Sequence, residues 1–372
     1  MNKYFKILTV IILLLTVSPA VSSAASKTSS YYGAWFPFWL KTDAIQQFTA
    51  NITKFKEVSL FSYDAQPDGT LKDRLKMQDG PWLGWQLALR DLNIKILPTI
   101  AWFKGDQIYK TLSNKKLRKA HIAEIVSLAV ANPTYGGIDI DYENKTAETK
   151  TYFSAFLKEL SAALHAKKKI LACTIEPRAP LSSRFVIVPK DMAYANDYAV
   201  INKYCDEVRI MAYDQGSTDL ILNKQKGSNG NFYMPIADKD WVLKVIKETT
   251  KTISAKKILL GIPTYGYEYS ISQDNGTASY TRLRAISYKD AMDLAASLNI
   301  TPERNSAGEL SFTYDATSTS STSLALIKHL VSFTDASAIS DKIKLAKSLK
   351  LKGAILFKLD GENDPALFAE LN

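Results

Sequence analysis

The 372-residue chain has little cysteine and little histidine. Its two cysteines, Cys173 and Cys205, are far fewer than small disulfide-held secreted domains carry. Each lies in an apolar, strand-like context, so they read as two buried thiols rather than as a bridge. The three histidines, His121, His165 and His329, stand far apart and offer no metal-ligand spacing. No glycine-rich turn follows the first strand-like run, which argues against a dinucleotide cradle. No metal and no cofactor is therefore expected. Past the N-terminal leader, no apolar run approaches the roughly 20 residues that a membrane helix needs. Lysines are interspersed with acids and form no nucleic-acid motif.

What is present begins with that leader. Lys3 and Lys6 precede an apolar stretch from Ile7 to Val17, interrupted by Thr9 and Thr16. Pro19 follows, then the small residues Ser22-Ser23-Ala24-Ala25. This is the charged, apolar, small-residue order of a secretory signal, expected over residues 1–25 with cleavage after Ala24 or Ala25. The mature protein is expected outside the cell or on its wall, with no stable membrane insertion, as a monomer. The formal net charge of +10 stays strongly positive without those two lysines, which suits adhesion to anionic polymers.

With 46% hydrophobic and 11% aromatic residues, the chain can bury a large core. Eight short apolar runs recur: Tyr31–Trp39, Glu57–Tyr63, Ile94–Trp102, Gly137–Glu143, Lys169–Ile175, Glu207–Tyr213, Ile258–Thr264 and Gly353–Leu359. Helical patterns separate them, among them Lys116–Ala131, Thr149–Ala166 and Asp238–Thr252. Regular alternation of strand and helix predicts a parallel sheet built from βαβ units, and eight units close into an α/β fold, the (β/α)8 TIM barrel. The alternative is a doubly wound sheet. The stretch between the seventh and eighth runs is too long for one crossover. It holds Glu268–Tyr280, a helical Ser287–Asn299 and an alternating Glu309–Tyr314, a small α+β insertion over roughly residues 268–320. Turns are expected at Asn275-Gly276 and Ala307-Gly308, and the run Thr317–Ser323 reads as a surface loop. Residues 26–372 would form one catalytic barrel.

The fourth run reads Gly136-Gly137-Ile138-Asp139-Ile140-Asp141-Tyr142-Glu143. Side chains alternate along a strand, so Asp139, Asp141 and Glu143 share one face and Ile138, Ile140 and Tyr142 the other. In a barrel the acids face the axis. Three inward carboxyls have no packing rationale, because buried charge is costly without partners. Glu143 comes last, at the end where barrel enzymes hold their sites. Crowded carboxyls cannot all ionise freely. A protonated Glu143 near the mouth would act as general acid, with Asp141 its partner and Asp139 deeper, holding Asp141. A calcium site is the other reading, but calcium takes more oxygens in a loop.

This run resembles the signature of glycoside hydrolase family 18, Asp-Gly-x-Asp-x-Asp-x-Glu, with Gly137, Asp139, Asp141 and Glu143 in register and Gly136 where the first aspartate stands. Asn196-Asp197-Tyr198 through Met211-Ala212-Tyr213-Asp214 is similar to the family's sixth strand, and Ile262–Tyr267 to its seventh. Ala285-Ile286-Ser287-Tyr288, Phe333-Thr334-Asp335-Ala336 and Lys95-Ile96-Leu97-Pro98 resemble the branch related to bacterial spore-cortex and germination hydrolases.

The resemblance implies a retaining glycosidase that cuts β-1,4 bonds beside N-acetylglucosamine in chitin, peptidoglycan or an N-glycan, with the substrate's acetamide as nucleophile. Glu143 would be the acid and base, Asp141 would orient the acetamide, Asp139 would support Asp141, and Tyr213 would donate to the acetamide oxygen. Met211 and Asp214 would line the same subsite. Trp35, Trp102 and Tyr265 lie at strand ends, where rings either stack on sugars or belong to the core. Phe357 takes the place where the family usually carries a tryptophan, which would weaken the grip on the sugar. Ala101-Trp102 stands where chitinases often show Gly-Gly. The alternative is a silent, lectin-like glycan binder on the same barrel; such relatives typically lack the acid or its Asp partner.

Overall fold

A computed structural model of the chain describes residues 30–371, apart from 41, 229, 230, 275, 276 and 318–325. The proposed leader, the Asn275-Gly276 turn and most of the Thr317–Ser323 loop lie outside the described residues.

Eight strands close on themselves: β1 (Tyr31–Pro37), β2 (Glu57–Ala65), β3 (Thr99–Trp102), β4 (Gly137–Tyr142), β5 (Ile170–Ile175), β6 (Glu207–Ile210), β7 (Ile258–Pro263) and β8 (Gly353–Phe357). Every neighbour is parallel, and β1 pairs with both β8 and β2. The eight runs read from the sequence are these strands, and the fold is the TIM barrel. The third run is shorter than its apolar pattern because Pro98 has no N–H for the ladder. A two-residue segment, Lys95–Ile96, pairs with β2 before it, and β3 proper starts at Thr99.

Helices cover the outside. Lys115–Ala131 starts where the Asn114 side chain accepts from the N–H groups of Lys116 and Leu117, supplying the oxygen that free N-terminal donors need. Asp238, Ser287 and Asp335 cap later helices in the same way. The outward residues of β4 meet this layer: the Tyr142 ring stacks 5.6 Å from Phe156, and its hydroxyl bonds His121. Burying one such ring contributes roughly 1.5–3 kcal/mol.

The barrel interior is divided. One side is apolar, with Trp35, Leu259 and Ile355 in contact. The other holds Glu57, Asp139, Glu207 and Arg209, all buried.

Between β7 and β8 an antiparallel five-stranded sheet and the helix Tyr288–Ser297 enclose a second core of Ile286, Phe312, Val331 and Phe333. The sheet runs from Tyr265 to Phe333, wider than the range read from the sequence. Its Ala307-Gly308 turn holds Gly308 at φ +79°. The buried Glu309 carboxylate accepts from the N–H groups of Ile236 (3.0 Å) and Ala237 (2.7 Å), fixing the insertion to the chain after β6.

One expectation is overturned. Cys173 and Cys205 are bonded as a disulfide, with Cα atoms 6.0 Å apart at a sequence separation of 32. The helix Tyr198–Tyr204 brings the chain back beside β5, and Cys205 caps its end just before β6. The end of that helix, leading into the strand beside β5, places the two side chains within bridging distance, a proximity that two widely separated apolar segments do not reveal.

Candidate active site

The strand β4 delivers its acids in depth order. Asp139 is lowest and fully buried. It accepts from Thr99 Oγ1 (2.8 Å), Thr174 Oγ1 (2.9 Å) and Trp35 Nε1 (3.4 Å). Arg209 Nη1 stands 2.7 Å from its Oδ2 as an ion pair. Asp141 comes next, buried, with Oδ1 lacking a hydrogen-bond partner among the described residues. Burial raises its pKa well above the carboxylate range, and the charges of Glu143, Asp139 and Glu176 add to this.

Glu143 lies one residue past β4. Its N–H bonds Trp102 O (2.9 Å), and the chain then reverses through Asn144 at φ +57°. A Cβ on Gly105 would lie 2.0 Å from Asn144 O, so only glycine lets the two loops cross. Burial pushes the Glu143 carboxyl up to about 7; Glu176 and Asp214 add to the rise and Lys145 opposes it. That is where a group able both to give and to take a proton near neutrality belongs.

Tyr213 caps the far side. Its ring stacks on Phe357 at 5.3 Å and 9°, and burial raises its hydroxyl pKa well above normal. Asp214, at φ +56°, accepts from Tyr265 Oη (2.6 Å) and Tyr267 Oη (2.8 Å). A cleft of about 590 Å³ opens over these groups.

Of the residues singled out in the sequence, Asp141, Glu143, Tyr213, Asp214, Met211, Phe357, Trp35 and Trp102 line this cleft. Asp139 lies beneath it. Trp35 is buried, edge-on to Phe357 at 5.7 Å. Trp102 is buried too, packed against His121 and Tyr142. Tyr265 is not on the cleft surface; it stands behind Asp214 and holds it. The cleft is also lined by residues with no sequence signal. Phe38, Trp39 and Phe103 are 38%, 46% and 45% exposed and, with Phe61, form a row along one rim. Phe38 and Trp39 belong to an apolar run read as strand, but the strand stops at Pro37. Lys145, buried over the Phe153 ring and 3.6 Å from Glu176, was missed as well, as was Arg209. An arginine at an inward strand position is the one signal that pointed to the latter.

A closed barrel with stacked carboxyls under a cleft at the carboxyl ends of its strands defines a class, the barrel glycosidases and their close kin. The sequence pattern of Glycosyl hydrolases family 18 matches residues 29–362, and the chain belongs to that family. The uncharacterized glycosylase YvbX of Bacillus subtilis (strain 168) is 27% identical over 263 residues, covering 70% of this chain and 68% of YvbX. The putative sporulation-specific glycosylase YdhD of the same strain is 27% identical over 277 residues, covering 74% of this chain and 60% of YdhD. The spore cortex-lytic enzyme SleL of Bacillus megaterium QM B1551 shares the fold, with a TM-score of 0.71 at 21% identity over 92% of this chain and 73% of SleL. YdhD and SleL carry sporulation and spore-cortex names, in keeping with the branch that the short motifs of the sequence resemble.

Proposed function

We propose that the protein hydrolyses β-1,4 bonds next to N-acetylglucosamine with retention, and that the substrate's acetamide carbonyl is the nucleophile. Glu143 protonates the leaving oxygen and then activates water. Asp141 orients the acetamide N–H and offsets the positive charge that develops on the ring. Asp139 supports Asp141, and Tyr213 donates to the acetamide oxygen, with Met211 and Asp214 beside it. The observation that carries this reading is the gradient along β4: a carboxylate held by donors, a carboxyl with one oxygen unpartnered among the described residues, and a cleft-lining acid poised near 7.

Export belongs to the same proposal. It rests on the sequence of residues 1–25, and the Cys173–Cys205 bond favours an oxidising compartment. The polymer is proposed to be a wall glycan or chitin, met by a monomer.

Glu143→Gln is expected to lose about 10²–10⁴-fold in kcat on chitooligosaccharides or peptidoglycan, whichever the wild type cleaves. Equal product from both proteins overturns the assignment. Binding by both without cleavage makes the protein a glycan binder instead.

A further inference from the structure

Arg209 comes from β6, is fully buried, and reaches across the barrel floor to the deepest acid of the run. Its Nη1 lies 2.7 Å from Asp139 Oδ2, and its Nη2 donates to Glu57 Oε1 at 2.8 Å. Its guanidinium sits 5.6 Å over the Trp35 ring. Below it, Glu207 pairs with Lys95 at 2.7 Å and with Lys352, while Tyr31 donates to Glu57 Oε2 at 2.6 Å. A barrel floor does not need an arginine for packing, and an unpaired cation there would be costly.

The contacts of Asp139 show what the cation does. Oδ2 faces Arg209, the Trp35 N–H and the Thr99 hydroxyl; Oδ1 faces the Thr174 hydroxyl. Arginine and indole N–H groups only donate. A proton on Oδ2 would confront both, and a proton on Oδ1 would have to reverse the Thr174 hydroxyl. An ionised carboxylate accepts from the indole and both hydroxyls and pairs with the guanidinium as its counter-ion. Asp141 Oδ1, by contrast, has no partner among the described residues.

We propose that Arg209 is a positioning residue that keeps Asp139 permanently charged and so confines the exchangeable proton of the acid run to Asp141 and Glu143. The proposal rests on the catalytic reading above. Without Arg209, Asp139 competes for the proton, Asp141 takes up the negative charge at neutral pH, and that charge stands nearer Glu143. The other charged or titratable groups facing the pair are Lys145 and Glu176 from the β4 and β5 loops and Tyr213 and Asp214 after β6, while Glu57 and Glu207 face Arg209 from below.

The test uses Arg209→Lys, which keeps the charge, and Arg209→Met combined with Glu57→Gln, which removes the cation and the carboxylate it would leave unpaired. In the double variant the alkaline limb of kcat/KM is expected to move up by about 0.5–1 unit, with kcat down at least tenfold and KM within threefold. Arg209→Lys is expected to keep the wild-type limb. In protein carrying carboxyl-¹³C aspartate, the Asp139 signal is expected not to titrate between pH 5 and 9 in the wild type and to begin titrating in the double variant. Unmoved limbs and an unmoved Asp139 signal overturn the proposal, leaving Arg209 a structural counter-ion; so does an Arg209→Lys profile that matches the double variant. A wild type that cleaves no glycan instead refutes the catalytic reading, and the carbon signals still decide the role of Arg209.

Discussion

Between a carboxylate fixed by donors and a carboxyl at the cleft stands Asp141, with one oxygen unpaired among the described residues. A buried acceptor without a donor costs about 1–3 kcal/mol, so its retention fits a partner that arrives with the substrate. Its proton is held by burial first and by the charge of Glu143 second. Two groups that interact this strongly titrate as a pair. The kcat/KM profile is therefore expected to be a bell whose alkaline limb lies near 7, where Glu143 loses the proton it must donate. Asp141→Asn removes the partner's titration but keeps its size and neutrality. The variant is expected to lose about 10²-fold or more in kcat and to show a limb shifted from the wild-type position, as read from initial rates between pH 4 and 9. A superimposable profile would take Asp141 out of the pair.

At the scale of elements, the strands supply the acids and the loops after them supply the walls. In the row formed by Phe38, Trp39, Phe61 and Phe103, Phe38 and Trp39 follow β1, Phe103 follows β3, and Phe61 comes from within β2. Phe38 and Trp39 meet edge to face at 4.7 Å, and Phe61 stacks on Phe103 at 6.1 Å. Arg74 lies over Phe38 and pairs with Asp64, stiffening the row. Exposed rings grouped at a cleft mark a binding surface more than a core. Trp39→Ala and Phe103→Ala are each expected to raise KM for long oligosaccharides about tenfold while leaving that for the shortest cleaved substrate within twofold. Equal effects at every chain length would refute this role.

The same scale explains what was legible in the sequence. The alternation Asp139-Ile140-Asp141-Tyr142-Glu143 gave away both the strand and the site, because a period of two sorts faces without any tertiary information. The barrel was legible for a different reason: eight short apolar runs alternate regularly with helical patterns, the rhythm of βαβ units. Trp39 escaped because its run continues past the point where the strand ends. Cys173 and Cys205 escaped because their proximity depends on how one helix returns, and Tyr265 because a strand-end aromatic can face the cleft or the residue behind it.

For the whole molecule, a barrel that buries acids has a stability that depends on pH with a definite sign. The Glu143 carboxyl sits near 7 in the fold against an ordinary 4.5. Between those values the folded state binds more protons than the unfolded chain, so stability falls as pH rises. The contribution is whole below about 4.5 and is lost through 7. Glu57, also raised by burial to about 7, acts in the same direction, while Glu207, held down to about 2 chiefly by Arg209 against its burial, acts oppositely and only in acid. Glutamine at 143 keeps the neutral form at every pH. Glu143→Gln is therefore expected to match the wild type closely at pH 4.5 and to exceed it by about 1–3 kcal/mol at pH 8, measured by urea unfolding at both values. The gain would appear in the protein that has lost its activity, as expected where a strained acid serves chemistry at the expense of the fold. A constant difference across pH would mean that Glu143 is not held protonated by its surroundings, and the general-acid assignment would lose its electrostatic basis.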